Sequence, residues 1–216
     1  AARRRGFVGR TGEQATFRDA LKAHELPFHV LHVFGAGGVG KSSLRAEFAW
    51  LCEQAQVPAI HVDARDVEPS PDSFLGAVQA AAGLAPSDSP LQALAARPER
   101  QVILVDTYEA LAPLDPWLRE AFLPQLSENT LFVLAGPNPP SPAWRADPGW
   151  QSLVRTIPLR NLRPEESLAY LARREVPDEQ HRAVLDFTHG HPLALSLVAD
   201  LFAQREEVRF QPEAAP

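Results

Sequence analysis

Apolar runs of strand length recur along the chain at 28–34 (FHVLHVF), 58–64 (PAIHVDA), 101–106 (QVILVD), 130–136 (TLFVLAG) and 154–159 (VRTIPL). The third and fourth are almost unbroken, as expected of parallel strands covered on both faces. Between the runs, residues 42–54, 72–82, 91–97 and 117–126 carry helical spacing. Strand alternating with helix predicts an α/β fold: a five-stranded parallel sheet flanked by helices.

After Leu159 the pattern changes. RPEESLAYLARR places a proline at a first helical position and two acids in the first turn. DEQHRAVLDFTHG is a second helical stretch ending at Gly190, and Ala194, Leu197, Val198 and Leu201 give a third its i, i+3, i+4, i+7 stripe. The expected organisation is an α/β domain at 1–159, a small all-α subdomain at 160–206 and a linker or tail at 207–216. The proline-rich stretch 135–150 ends in tryptophans and is expected to be an ordered loop.

Composition narrows the class. The 216 residues are 45% hydrophobic and 22% charged, ordinary globular values. A net charge of −6 argues against direct nucleic-acid binding, and the Arg3–Arg5 run reads as a solvated end. The single cysteine, Cys52, excludes an internal disulfide and fits a cytoplasmic setting. No apolar run approaches the ~20 residues of a membrane span, and the first residues lack the core of a signal peptide. With no methionine, not even at position 1, the sequence reads as an excised piece of a longer chain.

The chemistry begins where the first apolar run ends. Gly35-Ala36-Gly37-Gly38-Val39-Gly40-Lys41-Ser42 satisfies G-x-x-x-x-G-K-[ST] between a strand and a helix. Glycines allow the backbone to approach a phosphate chain closely, and exposed N–H groups with the helix N-terminus surround it. In this reading Lys41 reaches the β- and γ-phosphates, the Ser42 hydroxyl ligates Mg²⁺, and Ser43 serves the α-phosphate. A structural turn with a surface lysine is the bland alternative. Asp106 ends the strand at 101–106 and is the expected Walker B acid, holding the metal with Ser42; otherwise it would be a helix N-cap. Thr107 follows it directly, so Glu109 is the candidate to polarise the attacking water, or else a solvated first-turn acid. Asp63-Ala64-Arg65-Asp66 reads as a local charged turn, with Asp63 the weaker acid candidate.

FVGR (7–10), GAGGVGKSSL (35–44), VILVDTYE (102–109) and GHPLAL (190–195), in this order, resemble the STAND class of signal-transduction ATPases. These are AAA+ relatives that include the NB-ARC and NACHT families. The resemblance runs from Phe7 to about Gln204. It implies that Gly9 and Arg10 lie near adenine and ribose, and that Gly190-His191-Pro192 bring the subdomain against the base, with Pro192 nearest. An acid three residues after Walker B occurs in the NACHT branch, which points again to Glu109. Two departures stand out. Thr11 replaces a frequent acid, and Pro137 stands where a polar γ-phosphate sensor is common, leaving Asn138 as its candidate substitute. Arg10 alone reads as a surface arginine. Gly190 and Pro192 also suit a helix C′ and the next helix N1 without any ligand.

The expected function is an ATP/ADP-binding switch module with slow Mg²⁺-dependent hydrolysis. Its partners are the nucleotide, other domains of the parent chain and, with ATP, further copies of itself. A small-molecule P-loop kinase is the first alternative, although Arg163, Arg173, Arg174 and Arg182 sit among acids on solvent-like faces. A nucleotide-binding scaffold without turnover is the second.

Overall fold

A computed structural model describes residues 7–204 of the chain. The expectations for Arg3–Arg5 and for the tail therefore lie outside the described residues. Helix α1 (Thr11–Lys22) leads into β1 (Val30–Phe34), followed by α2 (Lys41–Ala55), β2 (Ala59–Asp63), α3 (Pro71–Ala81), α4 (Pro90–Ala95) and β3 (Gln101–Asp106). An irregular helical stretch, 108–125, then leads to β4 (Thr130–Gly136), the short helices α5 (Pro142–Ala146) and α6 (Pro148–Gln151), and β5 (Val154–Pro158). Helices α7 (Pro164–Arg173), α8 (Asp178–Thr188) and α9 (Pro192–Gln204) complete the described chain.

The five strands are parallel in the order β2-β3-β4-β1-β5. Every residue of β3 and β4 is buried, as their unbroken apolar pattern requires. Alternate side chains feed two cores. On one face Leu31, Val33, Val102, Leu104 and Val133 meet Phe17 of α1 and Leu44 and Phe48 of α2. On the other Ile103, Val105, Phe132 and Leu134 meet Phe74, Val78, Leu94, Leu111 and Phe122. A third cluster, Leu171, Val176, Val184, Leu195 and Val198, belongs to α7, α8, α9 and their connections. The helical subdomain thus has a core of its own.

Three elements differ from the sequence expectation. Helix α1 has no counterpart in the sequence reading because its apolar stripe is only Phe17, Ala20 and Leu21 among polar residues. Long-range contacts hold it: Phe17 stacks on Phe48 at 4.2 Å, and the Arg100 guanidinium donates to the Ala20, Ala23 and His24 carbonyls at its C-terminal end. The expected helix at 117–126 instead begins at Tyr108 and mixes 3₁₀, α and π turns. Pro113, Pro116 and Pro124 each remove an amide donor and break a regular α ladder. Finally, 135–150 contains α5 and α6 rather than loop alone, and Trp144 is fully buried.

Trp144 is drawn inward by Asp115. That buried carboxylate accepts from Trp144 Nε1 (2.7 Å), Tyr108 Oη (2.5 Å) and Ser141 Oγ (3.0 Å), with Arg119 Nε at 3.4 Å. The network pins the chain leaving β4 to the stretch that follows β3.

Candidate functional site

Open parallel sheets gather ligand-binding loops at the C-terminal ends of their strands. Here that edge carries the loop from β1 to α2, the Asp106 end of β3 and the Gly136 end of β4. A Cβ at Gly35 would lie 2.6 Å from the Leu159 carbonyl oxygen, and one at Gly38 would lie 2.8 Å from His191 Cε1 and Leu193 Cβ. Gly37 and Gly40 differ, since a Cβ at either would meet no protein atom within 4 Å. Gly40 also needs its glycine for φ +97°. Two glycines therefore fit the loop against the protein, and two leave its outer side bare for close backbone approach by a ligand.

Every carbonyl from Gly35 to Val39 accepts a hydrogen bond. Lys41 Nζ donates to Gly35 O (2.8 Å) and Ala36 O (3.0 Å). His191 Nε2 reaches Gly37 O (3.1 Å), Leu193 N reaches Gly38 O (3.2 Å), and Arg10 Nη2 reaches Val39 O (3.1 Å). His191 Nδ1 accepts from Ala194 N at 3.4 Å, so Nε2 carries the ring proton toward Gly37. Two of these donors come from the segment that opens α9. The subdomain therefore grips the loop from outside.

Arg10 is only 7% exposed, which excludes the reading of a surface arginine. Its guanidinium donates to Arg160 O (2.5 Å) as well as Val39 O, and its backbone N–H donates to Glu166 Oε1 (3.0 Å). The other Glu166 oxygen accepts from Arg163 N (2.8 Å), so one carboxylate caps α7 and ties the N-terminal segment to it. Gly9 is required there: at φ +72°, a Cβ would lie 2.3 Å from Glu166 Oε1. Gly190 packs as tightly, its absent Cβ 2.4 Å from Leu162 O, and follows His189 as the left-handed pair that ends α8.

A cleft of about 650 Å³ opens between these parts. The P-loop from Gly38 to Ser43 forms its polar wall; Phe7, Val8, Leu162, Tyr170 and Pro192 form a largely apolar one. Arg10 also lines it, with its guanidinium engaged by the Val39 and Arg160 carbonyls and by Glu13 Oε1 at 3.4 Å. Ser42 and Ser43 are exposed. Arg174 also borders the cleft, held by Tyr170 Oη (3.0 Å) and Asp200 Oδ1 (2.5 Å), so it does not stand on a solvent face as its sequence context suggests.

Asp106 is 6% exposed with both carboxylate oxygens engaged. Thr107 N donates to Oδ1 (3.0 Å) and Arg45 Nε to Oδ2 (3.1 Å). Asp63 stands beside it in strand register and is held by Arg65, whose hydrogen bonds lower its proton affinity. That pair is the local charged turn expected from sequence. Glu109 is exposed, with Oε2 3.2 Å from the position of a Cβ on Gly136, and so stands at the end of β4. Asn138 is exposed in the segment that leaves that strand.

The sequence reading misses Arg45, Glu166, Tyr170 and the cleft position of Arg174. Arg45 had a usable signal, since it lies four residues after Lys41 and so on the same helix face. Glu166 had another, as the acid at N3 after Pro164 at N1.

These residues fit a nucleoside phosphate: bare glycines, an ammonium and two hydroxyls on one wall, apolar and aromatic groups on the other. They also fit a hard divalent cation shared with the phosphates, because Ser42 and Asp106 offer oxygen donors. Among the described residues no cluster of three or more His, Cys, Asp or Glu could hold a metal unaided. No described helix is long and apolar enough to cross a membrane.

No family model and no curated protein matches the chain. Solved structures do. Cdc6p from Pyrobaculum aerophilum aligns over 92% of this chain and 64% of its own, at 15% identity and a TM-score of 0.63. The RuvB Holliday junction branch migration motor of Thermotoga maritima aligns over 96% of this chain and 67% of its own, at 16% identity and a TM-score of 0.59. A point variant of that RuvB gives 16% and 0.56. The chain thus spans about two thirds of each of these structures. At such identities the likeness is one of fold: a five-stranded parallel sheet with a glycine-rich loop between its first strand and the following helix, and a helical subdomain after it.

Proposed function

We propose that the chain is the nucleotide-controlled switch module of a STAND-type signalling or regulatory ATPase. Residues 1–159 bind the phosphates and 160–206 act as the lid. The observation that carries this reading is the grip of His191 and Leu193 on the Gly37 and Gly38 carbonyls, because it makes P-loop geometry depend on where the subdomain sits. A nucleotide in the cleft touches both bodies and can favour one arrangement over another. In the resting state ADP joins them, its phosphates at Gly35–Ser43 and its base against Tyr170 and Pro192, with Gly9 and Arg10 shaping the adjoining wall. Exchange for ATP releases the lid and exposes surfaces for other domains of the parent chain and for self-association in the cytoplasm.

Hydrolysis resets the state. Mg²⁺, when bound, neutralises phosphate charge and polarises the transferred group. Ser42 and Asp106 would hold it, Lys41 would steady the β- and γ-phosphates, and Glu109 would orient water for in-line attack. Pro137 offers no side-chain donor at the end of β4, and Asn138 is the nearest substitute, so turnover is slow. That same feature favours the second reading, a nucleotide-binding scaffold without turnover. Arg163, Arg173 and Arg182 are solvent-exposed, which leaves Arg174 as the one cleft arginine of the four that a kinase lid would use.

Hydrogen exchange with ADP and with a non-hydrolysable ATP analogue tests the switch. Residues 35–43 and 190–196 should be protected together by ADP and exchange faster with the ATP analogue. Equal protection by both nucleotides would sink the switch and leave only a scaffold.

A further inference from the structure

Arg45 and Asp106 hold the most informative contact that the proposed function leaves unused. Arg45 lies one turn into α2, at i+4 from Lys41 and i+3 from Ser42, and lines the cleft beside them. Its Nε sits 3.1 Å from Asp106 Oδ2, while its Nη1 faces His61 Nδ1 at 3.5 Å. Burial and the neighbouring guanidinium both lower the proton affinity of His61, so the ring presents a neutral acceptor to Arg45. Asp106 is therefore supplied with a positive charge and a donor on each oxygen before any cation arrives.

A divalent cation and a guanidinium cannot share one buried carboxylate cheaply. Both are attracted to it, and they repel each other beside a carboxylate that is itself largely buried. Cation binding at Ser42 and Asp106 must then displace Arg45.

We propose that Arg45 is the built-in counter-cation of this site, competing with Mg²⁺ for Asp106. The module thereby holds a nucleoside diphosphate without a divalent metal and admits Mg²⁺ only as Arg45 withdraws. This inference rests on the nucleotide reading above. It makes metal occupancy a second state variable beside the identity of the nucleotide. The arginine comes from the same chain and from the P-loop helix itself.

The test is a fluorescence titration with N-methylanthraniloyl-ADP, first in EDTA and then with Mg²⁺ added to the preformed complex. The wild-type chain should bind the probe in EDTA. Arg45→Gln should tighten apparent Mg²⁺ affinity by about tenfold, the scale of one partly buried charge pair. Arg45→Lys, which keeps the charge and folds as a conservative variant, should fall between the two. In an Asp106→Asn background, Arg45→Gln should change Mg²⁺ affinity little, because the shared carboxylate is gone. If Arg45→Gln binds the probe with unchanged or weaker Mg²⁺ affinity, the competition is overturned. If Arg45→Gln cannot be prepared folded, Arg45→Lys decides, and wild-type Mg²⁺ affinity in that variant overturns the proposal. If the wild type binds the probe with Mg²⁺ but not in EDTA, the metal-free mode is wrong. Failure to bind in either condition removes the nucleotide reading itself, and this one with it.

Discussion

His191 meets the P-loop directly, with Nε2 3.1 Å from the Gly37 carbonyl oxygen. The residue sits between the end of α8 and the start of α9, so this contact ties the position of the helical subdomain to the loop proposed to hold phosphate. Removing it should loosen nucleotide more than it loosens the fold. His191→Ala should weaken ADP binding about three- to tenfold, the range of one neutral hydrogen bond. Stopped-flow release of a fluorescent ADP should show the change in the off-rate, with the melting temperature nearly unchanged.

Arg10 is a fold residue as much as a cleft residue. Its guanidinium satisfies the Val39 and Arg160 carbonyls and pairs with Glu13. Arg10→Ala should cost about 1–3 kcal/mol, the usual penalty for unpaired buried polar groups. Urea unfolding checks this. Arg10→Lys should recover only part of the loss, because an ammonium lacks the planar fork that spans both carbonyls.

Gly190 predicts a steric effect. A methyl there would press on the Leu162 carbonyl at 2.4 Å and would force a left-handed conformation on alanine at φ +73°. Leu162 N donates to Gly190 O at 2.9 Å, so the same strain reaches the segment joining β5 to α7. Gly190→Ala should destabilise by about 1–3 kcal/mol and loosen the lid. Thermal unfolding, together with limited proteolysis of residues 160–190, would detect both effects.

His32 predicts a pH dependence. It lies on β1, 2% exposed, against the ring of Tyr108. Burial lowers its pKa to about 4, with Asp115 acting weakly in the opposite direction. The unfolded chain, with an ordinary histidine near 6.5, binds more protons between those values. Stability from this residue is therefore complete above pH 6.5 and is lost as pH falls toward 4, on the order of 3 kcal/mol in all. His32→Leu should flatten the urea-midpoint profile across that window.

The sheet could be read from the chain because β3 and β4 are apolar at every inner position, a pattern that burial on both faces imposes locally. The place of the glycine-rich loop between β1 and α2 was equally legible, since its glycines answer to local backbone geometry. Helix α1 was not. Phe17 alone gives no period; its partner Phe48 lies 31 positions on, and Arg100, which holds the end of the helix, lies 80 positions after Ala20. The irregular 108–125 stretch was hidden for a related reason: the four donors of Asp115 gather from 108 to 144 and decide its shape, whereas helical spacing sees only neighbours. In the site, the roles of Arg45 and Glu166 are not legible locally because they come from Asp106 and Arg10, 61 and 156 positions away.

The central claim is that one adenine nucleotide bridges the P-loop and the helical subdomain in the cleft of Tyr170 and Pro192. Calorimetric titration of the 216-residue chain with ADP tests it most directly. The account predicts one ADP per chain, affinity reduced about 100-fold by Lys41→Ala through the lost phosphate charge contact, and a clear reduction by Tyr170→Ala from the opposite wall. Absence of binding, or binding indifferent to both substitutions, would contradict it.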